Sequence, residues 1–180
     1  MNDRNIGEYR LNVDDIPKKL NDIHAGDVVY LSGTVYTARD AAHKKIISLM
    51  EKGEKLPFDV CGSAIYYAGP TPEKDGQVIG SCGPTTSSRM DMFTVPLIEA
   101  GLCAMIGKEK RSKAVIDAMK KHGAVYFCAV GGAGALAASH ITSSDVIAFP
   151  ELGCEAVRRL VFKDFPLIVG IDASGQSIVR

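Results

Sequence analysis

The sequence predicts an α/β fold with a mixed, partly parallel sheet and flanking helices. In the middle of the chain, short apolar runs alternate with amphipathic helical patterns, as they do in parallel sheets covered by helices. Glycine and proline residues separate these segments, and further strand-like runs stand near both ends. At 180 residues the chain fits one domain, which we expect to span residues 1–180.

Each element is justified by its apolar pattern and by the turn residues around it. The predicted strands are residues 9–13, 28–31, 64–68, 104–106, 124–130, 146–149, 157–162 and 167–171. The predicted helices are residues 39–50, residues 85–100, a helix running from about residue 111 through 119, and a short small-residue helix after residues 131–134. Gly101 and Gly123 stand where glycines often cap the C-termini of helices.

Composition limits the classes of partner. Hydrophobic residues make up 46% of the chain, and 21 basic residues balance 21 acidic ones, so no broad field favours nucleic acid or an anionic membrane. No apolar run approaches the roughly 20 residues that span a bilayer, and the start lacks the apolar core of a signal peptide. We therefore expect a cytoplasmic protein that binds neither nucleic acid nor membrane.

The cysteines do not form a metal-binding pattern. They are odd in number and widely separated, whereas metal and cluster sites usually bring two ligands within a few residues of each other. The five are Cys61, Cys82, Cys103, Cys128 and Cys154. We expect no metal site and at least four buried, reduced thiols. Cys82 is the one nearest a candidate site, and we interpret it as a packing residue.

Residues 83–91 form the first candidate site. A Gly-Pro pair is followed by hydroxyl residues and then by helical apolar spacing, which predicts a helix start with free N–H groups at residues 85–88. Arg89 would lie one turn inside that helix, where its fork can bind a carboxylate with two hydrogen bonds. The alternative is an ordinary capped helix with a surface arginine.

A second strand-to-helix junction, residues 32–43, repeats this arrangement with Arg39 in the first turn. If both junctions lie at one edge of the sheet, the two arginines can converge on a substrate with two carboxylates. Lys108, at a third junction, can add a positive charge. For His43 considered alone, a solvated helix position is the favoured interpretation.

Residues 132–137 offer a competing interpretation. They match the G-x-G-x-x-A form of the dinucleotide fingerprint after a predicted strand, and Glu151 stands near the position of the ribose-binding acid. A close approach of helix and sheet explains the same glycines and is favoured. An NAD-binding subunit using Gly132 and Gly134 and a non-enzymatic dicarboxylate-binding module remain alternatives.

Several motifs, in order along nearly the whole chain, resemble one family. They are residues 26–33, 37–43, 56–59, 65–70, 83–86 with 89–91, 150–153 and 164–166. Together they resemble the beta subunit, or C-terminal domain, of the class I iron-sulfur fumarate hydratases and the L(+)-tartrate dehydratases.

The resemblance implies a swivelling β/β/α domain and a reversible hydro-lyase, with fumarate hydration preferred over tartrate dehydration. It also implies a 4Fe-4S cluster held by three cysteines of an alpha subunit, with one iron acting as a Lewis acid on the substrate hydroxyl. This chain would bind no cofactor, would be inactive without the alpha subunit, and would assemble as a dimer or heterotetramer. Some of its surface apolar residues would form the partner interface.

The same resemblance assigns roles to individual residues. Arg39 and Arg89 would bind the substrate carboxylates, and Thr85 would act as the base. The spacing to Lys108 is one residue shorter than the family pattern and Glu109 stands where glycine is usual, so either Lys108 or Lys110 would match the family lysine. The remaining assignments are Thr86 as a substrate contact and Asp40, His43 and Asp91 as supporting residues.

Overall fold

The structure is a computed structural model that describes residues 5–130 and 132–179. Residues 1–4, 131 and 180 lie outside the described part. They include the chain start, where no signal peptide is expected, and one glycine of the predicted 131–134 turn.

The described residues form seven strands and five helices, with three short 3-10 turns. The strands are β1 (Glu8–Asn12), β2 (Val28–Thr37), β3 (Ala64–Tyr66), β4 (Ala104–Gly107), β5 (Val125–Cys128), β6 (Ile141–Ala148) and β7 (Val157–Ile171). The helices are α1 (Ile16–Lys19), α2 (Asp40–Lys52), α3 (Asp91–Glu99), α4 (Lys113–His122) and α5 (Gly134–Ser139). The 3-10 turns are Val13–Asp15, Ser87–Met90 and Pro150–Glu155.

The sheet is mixed, as the sequence predicts. Its order is β1-β2-β3-β4-β5-β7-β6, and β2 also pairs with β7. The pairings from β1 through β5 are parallel, whereas β7 is antiparallel to β2, β5 and β6. Because β7 joins β5 back to β2, the strands β2, β3, β4, β5 and β7 form a closed circuit.

Two apolar cores follow from strand alternation. Along β3, Ala64 and Tyr66 point to the core inside the circuit, whereas Ile65 packs in the second core with residues of α2, α3 and α4. Inside the circuit, the rings of Phe162 and Phe165 stack at 4.2 Å, and Tyr66 meets both edge-on. Burial on both faces explains why these strands read as continuous apolar runs.

One edge of the sheet collects the segments that carry the candidate residues. Since β2, β3, β4 and β5 run parallel, their carboxyl ends lie at the same edge. The antiparallel β7 begins there, because Arg159 pairs with Tyr36 near the end of β2. Chain segments leaving four strands therefore meet at this edge.

The bounds of β2 and β6 differ from the prediction. β2 continues through residues 32–34 to Thr37, and its register with β7 shifts between Leu31 and Gly33. Gly33 has a φ of 106°, and a Cβ there would lie 2.6 Å from the Asn12 Oδ1 atom, so the predicted end of the strand is a bulge inside a longer strand. β6 begins at Ile141 rather than near residue 146.

The runs 157–162 and 167–171 form one strand of 15 residues, β7, rather than two strands. Asp164 has a positive φ of 47°, and its N–H donates to the Ser32 hydroxyl at 3.0 Å. This hydrogen bond joins the bulge of β2 to the residue of β7 with positive φ. The two strands pair with each other both before and after this point.

The helix predicted over 85–100 starts later. The 3-10 turn Ser87–Met90 leads into α3, and the Thr86 side chain does not cap it. The Thr85 N–H donates to the Tyr67 carbonyl at 2.7 Å, and the Ser87 N–H donates to the Lys108 carbonyl at 3.1 Å. The prediction of a helix N-terminus with free N–H groups throughout residues 85–88 is therefore wrong, because cross-segment pairing uses two of them.

The cysteine prediction is correct in part. All five thiols are free, and burial raises the pKa values of Cys82 and Cys103 to about 12, as expected for packing residues. Cys61 and Cys154, however, are exposed, so the expectation of at least four buried thiols is wrong.

Candidate functional site

Arg39 immediately precedes α2, two residues after β2 ends. Its Nη2 atom lies 3.5 Å from Glu155 Oε1 and 4.0 Å from Asp40 Oδ2. Its Nε atom is buried and has no hydrogen-bond acceptor within the described residues. A Cβ on Gly69 would lie 2.9 Å from its Nη1 atom, so glycine at position 69 allows the guanidinium to lie against the segment after β3.

Arg89 reaches the same place from the 3-10 turn before α3. Its Nε and Nη2 atoms donate to the two oxygens of Asp40 at 3.1 and 2.9 Å, which is the planar, two-bond geometry that guanidinium favours with a carboxylate. The Arg89 side chain is half exposed. One carboxylate, on the first residue of α2, therefore contacts both arginines, and the predicted convergence of Arg39 and Arg89 is present in the structure.

Thr85 belongs to the segment that precedes the 3-10 turn of Arg89. Pro84 bridges to Ala68, and Thr85 pairs with Tyr67, so the threonine lies beside the segment that leads to Gly69 and Arg39. Its hydroxyl makes no hydrogen bond to any residue that the structure describes. The side chain is partly exposed and is available to a ligand.

Lys108 follows β4 and pairs with Thr86 in a parallel bridge. Its Nζ atom lies 3.9 Å from Glu109 Oε1, and the Thr86 hydroxyl donates to the same oxygen at 3.0 Å. Lys110 is exposed, one residue beyond Glu109. Of the two candidate lysines, Lys108 is the one that shares a carboxylate with Thr86.

The site thus holds three cations, each paired with a resident acid. The cations are Arg39, Arg89 and Lys108, and the acids are Glu155, Asp40 and Glu109. Partly exposed ion pairs of this kind contribute at most about 1 kcal/mol each. An incoming dicarboxylate can therefore replace them at small cost.

Sequence reasoning did not identify Glu155, and it noted Glu109 only as a residue at a position where glycine is usual, not as a partner of Lys108 and Thr86. Glu155 accepts from the Ala41 N–H at 2.9 Å, at the start of α2, and its other oxygen faces Arg39. The pairing crosses more than 100 residues, and no local spacing reveals it. Glu109 has a positive φ of 68°, the conformation that a glycine adopts without strain.

His43 is fully buried, so its interpretation as a solvated helix residue is wrong. Its Nδ1 atom lies 2.9 Å from the Arg39 carbonyl and must donate, because a carbonyl only accepts. The Nε2 atom is buried without a partner among the described residues, and the ring packs on Tyr67 and Phe93. Burial lowers the pKa of His43 to about 4, with Arg111 adding to the effect. The neutral ring fixes the backbone that carries Arg39.

Asp91 lies away from the two-arginine site. One oxygen accepts from the Arg111 Nε atom at 2.7 Å, and the other accepts from the Ser112 N–H. Arg111 is completely buried, donates to Thr94 at 2.9 Å, and lies over the rings of Tyr67 and Tyr126. The geometry makes Asp91 a link between α3 and the segment before α4.

The two glycines of the dinucleotide-like motif differ: Gly132 has a positive φ of 79° and no atom within 4 Å of an added Cβ, whereas Gly134 is closely packed. A Cβ on Gly134 would lie 2.2 Å from the Ser81 hydroxyl oxygen and 3.1 Å from the Gly83 nitrogen. Helix α5 has only six residues, and the next strand, β6, pairs antiparallel to β7 instead of parallel to β5. No parallel strand–helix–strand unit forms around the motif, so this geometry does not support the NAD-binding alternative.

In residues 5–130 and 132–179, no three His, Cys, Asp or Glu side chains come together in a group that could hold a metal ion. The cysteines are likewise not arranged as a cluster cage, and the described residues do not fit an iron-sulfur cluster bound by this chain alone. Among the same residues, no helix has both the length and the apolar character needed to cross a membrane.

Comparisons with known proteins identify relatives of this chain. The family model described as Fumarase C-terminus matches residues 2–180. Fumarate hydratase 2 of Leishmania major is 42% identical over 169 residues, which are 92% of this chain and 30% of that protein. The aerobic class I fumarate hydratase of Escherichia coli K12 is 42% identical over 83% of this chain and 28% of its own length.

A separate subunit is also similar. The L(+)-tartrate dehydratase subunit beta of Escherichia coli K12 is 36% identical over 89% of this chain and 81% of its own length. This chain therefore spans about 30% of the length of the fumarate hydratases that it matches, but most of the length of a tartrate dehydratase beta subunit. Since the family model covers residues 2–180 of the 180, the chain belongs to the Fumarase C-terminus family.

Proposed function

We propose that this chain is the substrate-binding beta subunit of a two-subunit iron-sulfur hydro-lyase that reversibly hydrates fumarate to malate. The observation that carries the proposal is the convergence of Arg39 and Arg89, from two separate strand-to-helix junctions, on the carboxylate of Asp40. Two guanidinium groups at one sheet edge suit a ligand with two carboxylates.

In the proposed complex, Arg39 and Arg89 each bind one substrate carboxylate in place of their contacts with Glu155 and Asp40. Lys108 and Thr86 add contacts from the segment after β4, where they already share Glu109. Thr85 takes the proton from the substrate carbon. A threonine hydroxyl is a weak base, so this role requires the nearby cations to stabilise its deprotonated form.

His43 and Asp91 act at a distance in this proposal. His43 supports the backbone at Arg39, and Asp91 anchors the start of α3 through Arg111. The remaining requirement is a Lewis acid for the substrate hydroxyl. We assign it to a 4Fe-4S cluster on an alpha subunit, since the described residues of this chain do not offer a ligand cage. The closed strand circuit supports the swivelling β/β/α assignment.

L(+)-tartrate dehydration is the second candidate. The match to the tartrate dehydratase beta subunit of Escherichia coli favours it. That match spans 81% of a separate subunit of similar length to this chain, whereas the fumarate hydratases are much longer. Both substrates are four-carbon dicarboxylates, and the two-arginine site suits either. A hydroxyl is discriminated by the shape and hydrogen bonding of the complete pocket.

Anaerobic reconstitution tests the proposal. The chain is mixed with its alpha partner, and hydration is followed by loss of fumarate absorbance, with L(+)-tartrate tested in parallel. We expect turnover of fumarate by the pair and by neither chain alone. Full activity of this chain alone would refute its assignment as a subunit that needs an alpha partner. A pair that is inactive with both substrates would favour a non-enzymatic dicarboxylate-binding module.

A further inference from the structure

Arg158 differs from the other arginines that the structure describes. Five of the six pair with a carboxylate: Arg10 with Asp164, Arg39 with Glu155, Arg89 with Asp40, Arg111 with Asp91, and Arg159 with Asp145. Arg158 has no such ion pair to any acid of residues 5–130 and 132–179. Its Nη1 atom donates to the Ser144 hydroxyl at 3.2 Å, and its Nε atom is buried without an acceptor. A partly buried guanidinium without an ion pair is costly to desolvate, and a bound anion would offset that cost.

The position of Arg158 brings it to the candidate site edge. It is the second residue of β7, and its N–H donates at 2.9 Å to the hydroxyl of Thr37, the last residue of β2. It shares a strand face with Leu160 and Phe162, which fill the core inside the circuit. Arg158 therefore lies at the open end of that circuit. Its hydrogen-bond partner Thr37 stands two residues before Arg39 in the chain.

Arg158 lines a cavity of about 390 Å³. Its lining also includes Pro70, Pro72, Pro150, Gly153 and Cys154. Glu73, which is exposed, also lines the cavity. The cavity adjoins the two-arginine site, because a Cβ on Gly69 would lie within 3.0 Å of both the Arg39 side chain and the Cys154 carbonyl.

We propose that this cavity is a second carboxylate-binding subsite, anchored by the Arg158 guanidinium and adjoining the Arg39 site at Gly69 and Cys154. This proposal rests on the proposed function, because it takes the same class of ligand, a carboxylate. Guanidinium binds a carboxylate with two matched hydrogen bonds. The carboxylate can be the far end of an acid held by Arg39 or a separate small anion.

The exposed thiol of Cys154 reports on occupancy of the cavity. The full chain is treated with iodoacetamide, an uncharged reagent, at constant ionic strength, and alkylation of Cys154 is timed by mass spectrometry with and without succinate. Cys61, which is also exposed, lines a different surface and serves as the internal reference. At succinate ten times its dissociation constant, we expect Cys154 alkylation to slow about tenfold, with Cys61 unchanged.

Two matched variants identify the anchor. Arg158→Met keeps an apolar stem for packing and removes the charge, and we expect it to abolish the protection of Cys154. Arg159→Met removes the same charge from the next residue, which is exposed, and should leave protection as in the wild type. Circular dichroism confirms that both variants are folded. Equal protection in Arg158→Met, or none at any succinate concentration in the wild type, would overturn the proposal.

Acetate and Arg39→Met distinguish the two sources of the carboxylate. Protection by acetate that survives Arg39→Met identifies a separate anion, whereas protection by succinate that needs Arg39 identifies one bridging acid. Both outcomes support the subsite. The assay needs neither the alpha subunit nor turnover. A chain with protected Cys154 but no hydro-lyase activity would thus contradict the proposed function alone.

Discussion

Asp40 shows at the scale of single residues how this site is organised. Its carboxylate accepts two hydrogen bonds from Arg89 and lies 4.0 Å from Arg39, so it holds two like charges close together. Because both pairs are partly exposed, the arrangement is weakly held and can exchange for a substrate carboxylate. The sequence identifies both arginines and Asp40, but only the fold shows that they share one contact.

His43 makes a pH-dependent contribution to stability. The folded protein holds its pKa near 4, against 6.5 for an unperturbed histidine, so the unfolded chain binds a proton between these values that the folded chain does not. Stability due to His43 is complete above about pH 6.5 and falls as pH decreases toward 4. The loss amounts to about 3 kcal/mol across the window.

Urea denaturation from pH 7.5 to 4.5 measures this contribution. We expect the unfolding free energy of the wild type to fall more steeply toward pH 4.5 than that of His43→Gln, whose side chain does not titrate. Only the slopes matter, since the variant also changes packing. Parallel pH profiles for the two proteins would contradict a buried, neutral His43.

At the scale of elements, α3 and the segment before α4 are joined by the Asp91–Arg111 pair. Arg111 is completely buried, and Asp91 is its carboxylate partner. We expect Asp91→Asn to cost about 3–5 kcal/mol of unfolding free energy, because it leaves a buried guanidinium without a compensating charge. Asp117→Asn, which breaks an exposed pair with Lys113 on α4, should cost less than about 0.5 kcal/mol. Equal midpoints in urea for the two variants would show that the buried pair does not stabilise the fold.

The end of β4 leaves no room for a side chain at Gly107. A Cβ there would lie 1.9 Å from the Ser87 hydroxyl oxygen, which contacts the Tyr126 hydroxyl at 2.8 Å and accepts from the Lys108 N–H at 3.1 Å. We expect Gly107→Ala to destabilise the protein by about 1–3 kcal/mol and to displace Lys108.

Gly83→Ala is the matched control for this substitution. A Cβ at Gly83 meets its nearest atom, the Gly134 Cα, at 3.6 Å, which is ordinary contact. Thermal unfolding of both variants gives the comparison. If Gly107→Ala melts at the same temperature as Gly83→Ala, the Ser87–Gly107 packing does not constrain the segment that carries Lys108.

Much of each element could be predicted from local pattern. The helix predicted over 39–50 is observed as α2, Asp40–Lys52, and Gly123 ends α4 in the left-handed conformation that a C-cap glycine adopts. The start at Thr85 was wrong because Tyr67 and Lys108, far along the chain, take N–H groups that local reasoning left free. Local pattern does not report such partners.

At the scale of the whole molecule, the sequence predicts a mixed sheet but not its closure. The closure depends on β7, which pairs with β2 across more than 120 residues and with β5 and β6 on its other side. The packing of His43 on Tyr67 and Phe93 and the pairing of Arg39 with Glu155 likewise depend on partners distant in sequence. Parallel pairing of β2 to β5 places Arg39 and Lys108 at one edge, and closure brings the start of β7, with Arg158, to the same edge.

The kcat/KM of the reconstituted pair for fumarate, measured with Arg39→Met and Arg89→Met, tests most directly whether two arginines form one dicarboxylate site. Each substitution removes a charge-assisted hydrogen bond to a carboxylate, so we expect each to lower kcat/KM about ten- to a hundred-fold. Arg10→Met, at an exposed pair with Asp164 on another part of the surface, should match the wild type. Wild-type kcat/KM in either the Arg39 or the Arg89 variant would contradict the account.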